Sequence, residues 1–187
     1  MTIHVNRELL DGALDAIRQS PQSDGVVKMI VCRPAVGERE VLPEAELSVE
    51  LGLVGDNWAA RWSGREAQRQ RHLDMQINLM NSRVIDSLTA GDMTRWPLAG
   101  DQLFVDFDLS EDNLPAGTKI KVGEAVLEVT SEPHLGCSKF KQRFGRDAVL
   151  FVNSDLGKQL KLRGINARVI TPGVVTNGGV ISKLAPF

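Results

Sequence analysis

The chain has 187 residues, of which 42% are hydrophobic and 25% are charged, and its formal net charge is -2 at pH 7. This length suits one ordinary domain, and the composition is typical of a soluble, well-packed globule rather than a disordered chain. The mild negative charge gives no global attraction to nucleic acid or to an anionic membrane, so we expect neither as a partner.

The first predicted element is an amphipathic helix at the N-terminus. Its apolar residues recur at helical intervals: Leu9, Leu10, Ala13, Leu14 and Ile17. Asn6 is suited to cap this helix, and Pro21 disfavours helix in the residue before it. We therefore divide the chain into a helical extension over residues 1–24 and a main domain over residues 25–187.

From Gly25 onward the sequence predicts short strands, rich in β-branched residues. They cover residues 25–33, 75–80, 101–109, 118–122, 125–131, 167–172 and 179–184. Gly123 and Glu124 form a two-residue link that is typical of a tight hairpin. Brief helices are predicted over residues 82–90, 138–144 and 147–160. Many short strands without a regular βαβ rhythm favour a mainly β fold with short helices, built on a β-barrel.

Five acidic residues cluster between residues 101 and 112. They are Asp101, Asp106, Asp108, Glu111 and Asp112. We interpret this run as a solvated strand face and loop, with a metal site as a weaker alternative.

Cys137 lies in an unusual setting, within the stretch EPHLGCSKFKQRFG of residues 132–145. A tight turn precedes it and a short helix follows, so we expect the thiol at or just before a helix N-terminus, where backbone N–H groups stabilise an anion. Lys139, Arg143 and His134 add positive charge nearby. All of these lower the pKa of a thiol, so we predict a reactive or metal-ligating thiolate, suited to a soft transition metal.

Other interpretations of Cys137 stay open. The thiol could simply pack under the turn, or it could form half of a zinc site with His134. Cys–His nucleophilic catalysis is a third alternative, although the sequence offers no residue to orient the histidine. Cys32 lies in an apolar strand and is predicted to be a core residue. Two distant cysteines without a CxxC pattern favour a reduced protein, and we expect a cytoplasmic location.

A second basic stretch covers residues 51–72. Its cations are Arg61, Arg65, Arg69, Arg71 and His72, and Trp58 and Trp62 lie beside them. One interpretation is the solvated face of a helix. In the other, a loop covers a pocket in which guanidinium groups hold a phosphate and an indole stacks on a planar ring. Single-stranded nucleic acid is a weaker alternative. Asp56, in the turn GLVGD, could orient an arginine or a ligand.

Taken in order, these stretches resemble a MOSC domain, the module named after the C-terminal region of molybdenum cofactor sulfurases. The matching stretches are GLVGD, QINLMN, GDQL, TKIKVGEAVLEVT, EPHLGCSKFKQRFG and LRGINARVITPG. The PHxGCxKFxxRFG form is similar to small stand-alone bacterial members. The resemblance implies a twisted β-barrel like the barrel domain of pyruvate kinase. It also implies that Cys137 contacts molybdenum or carries sulfur for it.

The resemblance further implies a class of activity. Some relatives bind molybdenum cofactor and reduce N-hydroxylated bases and amidoximes with electrons from separate partners, while others sit in sulfurases beside a pyridoxal-phosphate domain. This chain shows no pyridoxal-phosphate module of its own. It departs from many relatives at His134-Leu135-Gly136, where they have an Arg/Pro-rich approach, and at Gly179, where an acid is common.

We therefore expect a molybdenum cofactor-binding protein that acts as a reductase of N-hydroxylated compounds or in cofactor sulfur transfer. Cys137 and His134 are the candidate catalytic residues, with Cys137 as metal ligand. The candidate cofactor-binding residues, assigned from charge and position, are Lys139, Arg143, Arg163, Arg61, Arg71 and Asp56. An electron-donor or sulfur-donor protein is the expected partner. The alternative is a carrier without turnover for molybdenum cofactor or another anionic small molecule.

Overall fold

The computed structural model describes residues 4–61 and 72–185. In these ranges the helices are α1 (Arg7–Gly12), α2 (Leu14–Arg18), α3 (Ser82–Thr89), α4 (Ser138–Phe144), α5 (Arg146–Val152) and α6 (Asp155–Gln159), with 3-10 turns at Ala59–Arg61 and Met93–Ala99. The strands are β1 (Asp24–Cys32), β2 (Glu40–Leu42), β3 (Glu44–Ser48), β4 (Gly52–Leu53), β5 (Ile77–Asn81), β6 (Leu103–Asp106), β7 (Lys119–Val122), β8 (Ala125–Val129), β9 (Ile165–Thr171), β10 (Gly173–Thr176) and β11 (Val180–Lys183).

Seven strands close a barrel in the order β11-β7-β8-β9-β5-β6-β1, and β1 returns to pair with β11. Only the β5–β6 pair among them is parallel in the described residues. Strand β1 allows closure because its first residues pair with β11, its centre with β6 and its end with β2. A register shift between Val27 and Met29 lets Val27 and Ile30 both join the barrel interior. Strands β10, β3 and β4 form a separate small sheet.

Two hydrophobic clusters hold the fold together. One fills the barrel, and the other lies between the barrel wall and the helices. Leu10 of α1 and Ile17 of α2 are buried in the second cluster together with Met29 and Val31 of β1. The N-terminal helices and the barrel therefore share a core, while the domain boundary at residue 25 stays a prediction.

The mainly β architecture, with a barrel and short helices, is confirmed. The hairpin at Gly123-Glu124 joins β7 and β8 as an antiparallel pair, and Asn6 caps α1 by accepting a hydrogen bond from the backbone N–H of Leu9 at 3.0 Å. None of the described helices has the length and apolar character needed to cross a bilayer.

The expectation of one helix over residues 147–160 is wrong. The chain breaks after α5, and Ser154 starts α6 by accepting a hydrogen bond from the backbone N–H of Gly157 at 3.0 Å. A serine side chain that satisfies a free N–H group at this position competes with a continuous helix. The N-terminal helix is likewise divided at Ala13 into α1 and α2.

Candidate functional site

The loop between β8 and α4 is fixed at Gly136. Its N–H donates to Asn153 Oδ1 at 2.8 Å, and Asn153 Nδ2 donates to its carbonyl oxygen at 2.9 Å. Asn153 is the residue at which α5 ends, so the end of one helix fixes the approach to the next. A side chain at Gly136 would lie 3.1 Å from Val152 Cγ2. These two hydrogen bonds between Gly136 and Asn153 position Cys137, the next residue in the chain.

Cys137 is the N-cap residue of α4 and is exposed. Its sulfur accepts no capping hydrogen bond. Burial raises the pKa of the thiol, but the nearby backbone N–H groups of Phe140 and Lys139 and the charge of Arg163 outweigh this, so the pKa is below its usual value. Cys32 behaves in the opposite way: it is 4% exposed, and burial raises its pKa. The two thiols therefore differ in both access and acidity.

Asp101 lies at the centre of a buried network that includes His134, three residues before Cys137. Its carboxylate accepts from Arg163 Nη1 at 2.8 and 3.0 Å and from His134 Nε2 at 2.7 Å. Asp101 is fully buried and Arg163 is 6% exposed. The interpretation of Asp101 as part of a solvated face is therefore wrong. One cation, Arg163, and the N–H group of His134 take the place of water around this carboxylate, which permits its burial.

The network fixes the protonation state of His134. Burial and the charge of Arg163 lower its pKa against the attraction of Asp101, so the imidazole is neutral at pH 7. A neutral ring that donates from Nε2 carries its free lone pair on Nδ1. Gly164, at φ +110°, leaves room for the ring, since a Cβ there would lie 3.2 Å from His134 Cδ2 and 2.2 Å from the carbonyl oxygen of Leu79.

Asp56 binds an arginine that the sequence did not single out. Arg33 Nε donates to Asp56 Oδ2 at 2.7 Å and Arg33 Nη2 donates to Asp56 Oδ1 at 2.9 Å. The same carboxylate accepts from the backbone N–H of Trp58 at 2.9 Å. Both side chains of the pair are buried, and Arg33 Nη1 also donates to the carbonyl oxygen of Gly100 at 2.8 Å. Asp56 therefore orients Arg33 and closes the GLVGD turn.

Arg33 and His134 both line a cleft of about 330 Å³, whereas Cys137 does not line it. Its charged and aromatic lining residues are Arg33, Trp58, Arg61, His72 and His134. Trp58 and His72 stack with their ring centroids 4.2 Å apart, and Trp58 Nε1 is buried without a hydrogen-bond partner. The cleft thus joins cations to an aromatic wall. Among the other predicted residues, Arg71 lies outside the described residues, as do Trp62, Arg65 and Arg69.

The remaining predicted cations lie around this region. Lys139 is exposed in the first turn of α4. Arg143 donates to the carbonyl oxygen of Leu98 at 2.7 Å, and Arg39, which the sequence did not single out, donates to the carbonyl oxygen of Pro97 at 3.2 Å. Burial lowers the pKa of Arg39, and the charges of Arg143, Arg33 and Arg61 lower it further. These arginines are close enough to repel one another.

The family model for the MOSC domain matches residues 68–182, well over half of the chain. The chain belongs to the MOSC domain family. This family is associated with molybdenum cofactor binding. A comparison with curated proteins found no match.

Solved structures share the fold of this MOSC domain. YuaD from Bacillus subtilis superposes with a TM-score of 0.59 at 18% identity, over 88% of this chain and 97% of its own. YiiM from Escherichia coli gives 0.54 at 22% identity, over 87% and 71%. YiiM from Geobacillus stearothermophilus gives 0.51 at 16% identity, over 89% and 75%. At these identities the likeness concerns the fold alone.

The residues of this MOSC domain fit a molybdenum cofactor, which is a planar anionic pterin with a dithiolene and a phosphate. Cys137 offers a soft, exposed sulfur donor with a lowered pKa. Arg33, Arg61 and His72 line the cleft with donors for an anion, and Trp58 presents a buried N–H without a partner. Within the described residues, no group of three or more His, Cys, Asp or Glu side chains could hold a metal ion.

Proposed function

We propose that this MOSC domain binds molybdenum cofactor, with Cys137 as ligand of the metal or carrier of its sulfur, and reduces N-hydroxylated compounds. The observation that carries the proposal is an exposed thiol of lowered pKa at the start of α4, one residue after a loop position that Asn153 holds by two hydrogen bonds. Three residues before this thiol, His134 lines a basic cleft. The bound cofactor would supply the two-electron redox chemistry, and a separate electron-donor protein would replenish the electrons.

The cleft residues would bind the cofactor as an anion. Arg33 keeps a fixed orientation because Asp56 binds it through two hydrogen bonds, so little order is lost when it meets a ligand. Arg61 is exposed at the same cleft and forms no ion pair with a carboxylate of the described residues. Lys139 and Arg143 would add positive charge around Cys137. A charged hydrogen bond to a phosphate is worth about 1.5–3 kcal/mol.

His134 would handle protons in this reaction. Reduction of an amidoxime to an amidine consumes two electrons and two protons and releases water. The imidazole donates to Asp101 from Nε2, so Nδ1 is the atom that can take up a proton and pass it on. Because burial and Arg163 lower its pKa, the imidazolium would release that proton readily.

Elemental analysis of the purified protein tests the cofactor site. The protein would be expressed in a molybdate-replete host that makes the cofactor, as wild type, as Cys137→Ala and as the control Cys32→Ala. We expect about one molybdenum per chain in wild type and in the control, and none in Cys137→Ala. Full molybdenum content in Cys137→Ala would contradict the proposal, as would a wild type that stays free of molybdenum after reconstitution. Steady turnover of a hydroxylamine by protein that contains molybdenum cofactor would show an enzyme rather than a cofactor carrier.

A further inference from the structure

A second cleft shares His134 with the first. It has a volume of about 290 Å³, and its apolar walls are Pro133, Leu135 and Val152. Leu135 is 46% exposed although it lies among these apolar residues. This volume is just below the usual range of ligand sites, which is roughly 300–1,000 Å³. The space suits one ring or a short branched chain.

The charged side chains that line this cleft are cations. They are Lys158, Lys161 and Arg163, and His134 is neutral at pH 7. Lys161 binds Glu111 at 2.5 Å, and Arg163 binds Asp101, although its Nε is buried without a partner. Lys158 is exposed and forms no ion pair with a carboxylate of the described residues. The cleft therefore has apolar walls and three cations. Lys158 has no carboxylate partner among the described residues, whereas Lys161 and Arg163 each form an ion pair.

We propose that this cleft is the substrate subsite and that it takes an apolar group carrying a carboxylate. The apolar walls would cover the ring or chain, and Lys158, with help from Lys161, would bind the carboxylate at the rim. Because His134 lines both clefts, a substrate held here would lie next to the imidazole that we propose to handle protons. The role in turnover rests on the proposed reductase function, whereas binding of the carboxylate does not.

Fluorine NMR titration of cofactor-free protein tests the binding directly. The probes are 4-fluorobenzoate and its neutral counterpart 4-fluorobenzamide, and the variants are Lys158→Glu, Leu135→Trp and the control Lys28→Glu. Lys28 is exposed on β1 and lines none of the described clefts, so it carries the same charge change elsewhere.

We expect wild type to bind the benzoate about tenfold more tightly than the amide, which corresponds to one charged hydrogen bond near the lower end of its usual range. Lys158→Glu should remove this preference and leave the amide unchanged, because only the charge is altered. Leu135→Trp should weaken both probes, because the larger side chain fills the cleft. The control should behave as wild type.

Equal binding of the two probes to wild type, or equal losses in Lys158→Glu and Lys28→Glu, would overturn the proposal. The molybdenum content of Cys137→Ala reports on the cofactor site separately. Benzoate binding with the expected variant pattern, in a protein that never holds molybdenum, would keep this cleft as a carboxylate site and refute the reductase. If molybdenum bound at Cys137 but the protein showed no preference for benzoate, the cofactor site would be supported and the carboxylate site would be refuted.

Discussion

Replacing Asp101 with asparagine tests whether the buried network holds the site in place. The substitution keeps the shape of the side chain and removes its charge. Arg163 is 6% exposed and donates to this carboxylate, which is its counter-ion, so it would then keep a buried charge without compensation. His134 would lose a charged partner at 2.7 Å. Removing one partner of a buried ion pair costs about 3–5 kcal/mol, so we expect the free energy of unfolding at pH 7 to fall by about this amount.

The acid dependence gives a second estimate of the same quantity. Burial raises the pKa of Asp101, but Arg163 and His134 outweigh it, and the pKa falls from 3.8 to about 2. Because the folded-state pKa is depressed, the stabilisation is complete well above pH 3.8 and is lost as the pH falls through 2. A difference of nearly two pKa units corresponds to roughly 2–3 kcal/mol. This is close to the lower end of the range expected from the ion pair.

Urea unfolding at pH 7 and between pH 4 and 2 measures both effects. The matched control is Asp106→Asn, because Asp106 also binds an arginine at 2.7 Å, but the side chains of this pair are 31% and 23% exposed. Ion pairs that are partly exposed to solvent contribute up to about 1 kcal/mol, so the control should lose far less stability. Equal losses in the two variants would refute the reasoning. The reasoning would also be refuted if the free energy of unfolding of Asp101→Asn fell below pH 4 as steeply as that of wild type.

Two further predictions concern the loop and its thiol. Asn153→Ala removes both hydrogen bonds to Gly136, so the free energy of unfolding should fall by about 1–3 kcal/mol. Thermal unfolding would measure the effect, with Asn177→Ala at an exposed turn as the control. Equal losses of stability in the two variants would contradict a stabilising role of the Gly136–Asn153 hydrogen bonds. In cofactor-free protein, iodoacetamide should modify Cys137 with a rate midpoint below pH 9.0, because its thiol pKa is lowered, and should spare Cys32. Peptide mass spectrometry at several pH values checks this, and comparable rates at the two cysteines would disprove it.

The sequence predicts those parts of the fold that depend on local pattern. Strand β1 and the hairpin of β7 and β8 follow from β-branched runs and a two-residue link, and α4 covers the residues expected of it. Strands β2, β3, β4 and β10 were missed because each has only two to five residues, too few for a clear alternating pattern. β3 and β10 pair residues more than a hundred positions apart, at Ala45 and Val175 for example. A pairing of strands this far apart in sequence cannot be predicted from a local sequence pattern.

The site shows the same division between local and distant information. The position of Cys137 at the start of α4 and its lowered pKa were predictable because its neighbours in sequence create its setting. Asp101 was misinterpreted because the acids that follow it are polar surface residues, whereas its own partners His134 and Arg163 lie 33 and 62 positions away. Asn153 gave no signal at all, since a lone asparagine near a helix end is common in any protein. A residue's role in this site thus depends on which distant group it meets.

The two buried carboxylates explain how a basic site can exist in a chain of net charge -2. Asp56 binds Arg33 and Asp101 binds Arg163, and both pairs are buried. Each pair is nearly neutral as a unit, so it contributes orientation more than electrostatic field. A buried ion pair is weak evidence for stability, because removing two charges from water offsets their attraction. We therefore infer that these ion pairs serve mainly to hold Arg33 and Arg163 in fixed orientations.

The field at the site comes instead from arginines without a carboxylate partner among the described residues. Arg39, Arg61 and Arg143 form no ion pair there, and burial together with Arg143 and Arg33 lowers the pKa of Arg39. Like charges held this close destabilise the folded chain. An anion that binds among them would relieve the repulsion and would bind only the folded state, so it would raise the stability of the protein as its concentration increases. Such an anion would couple ligand binding to folding in this group of arginines, of which Arg61 lines the cleft.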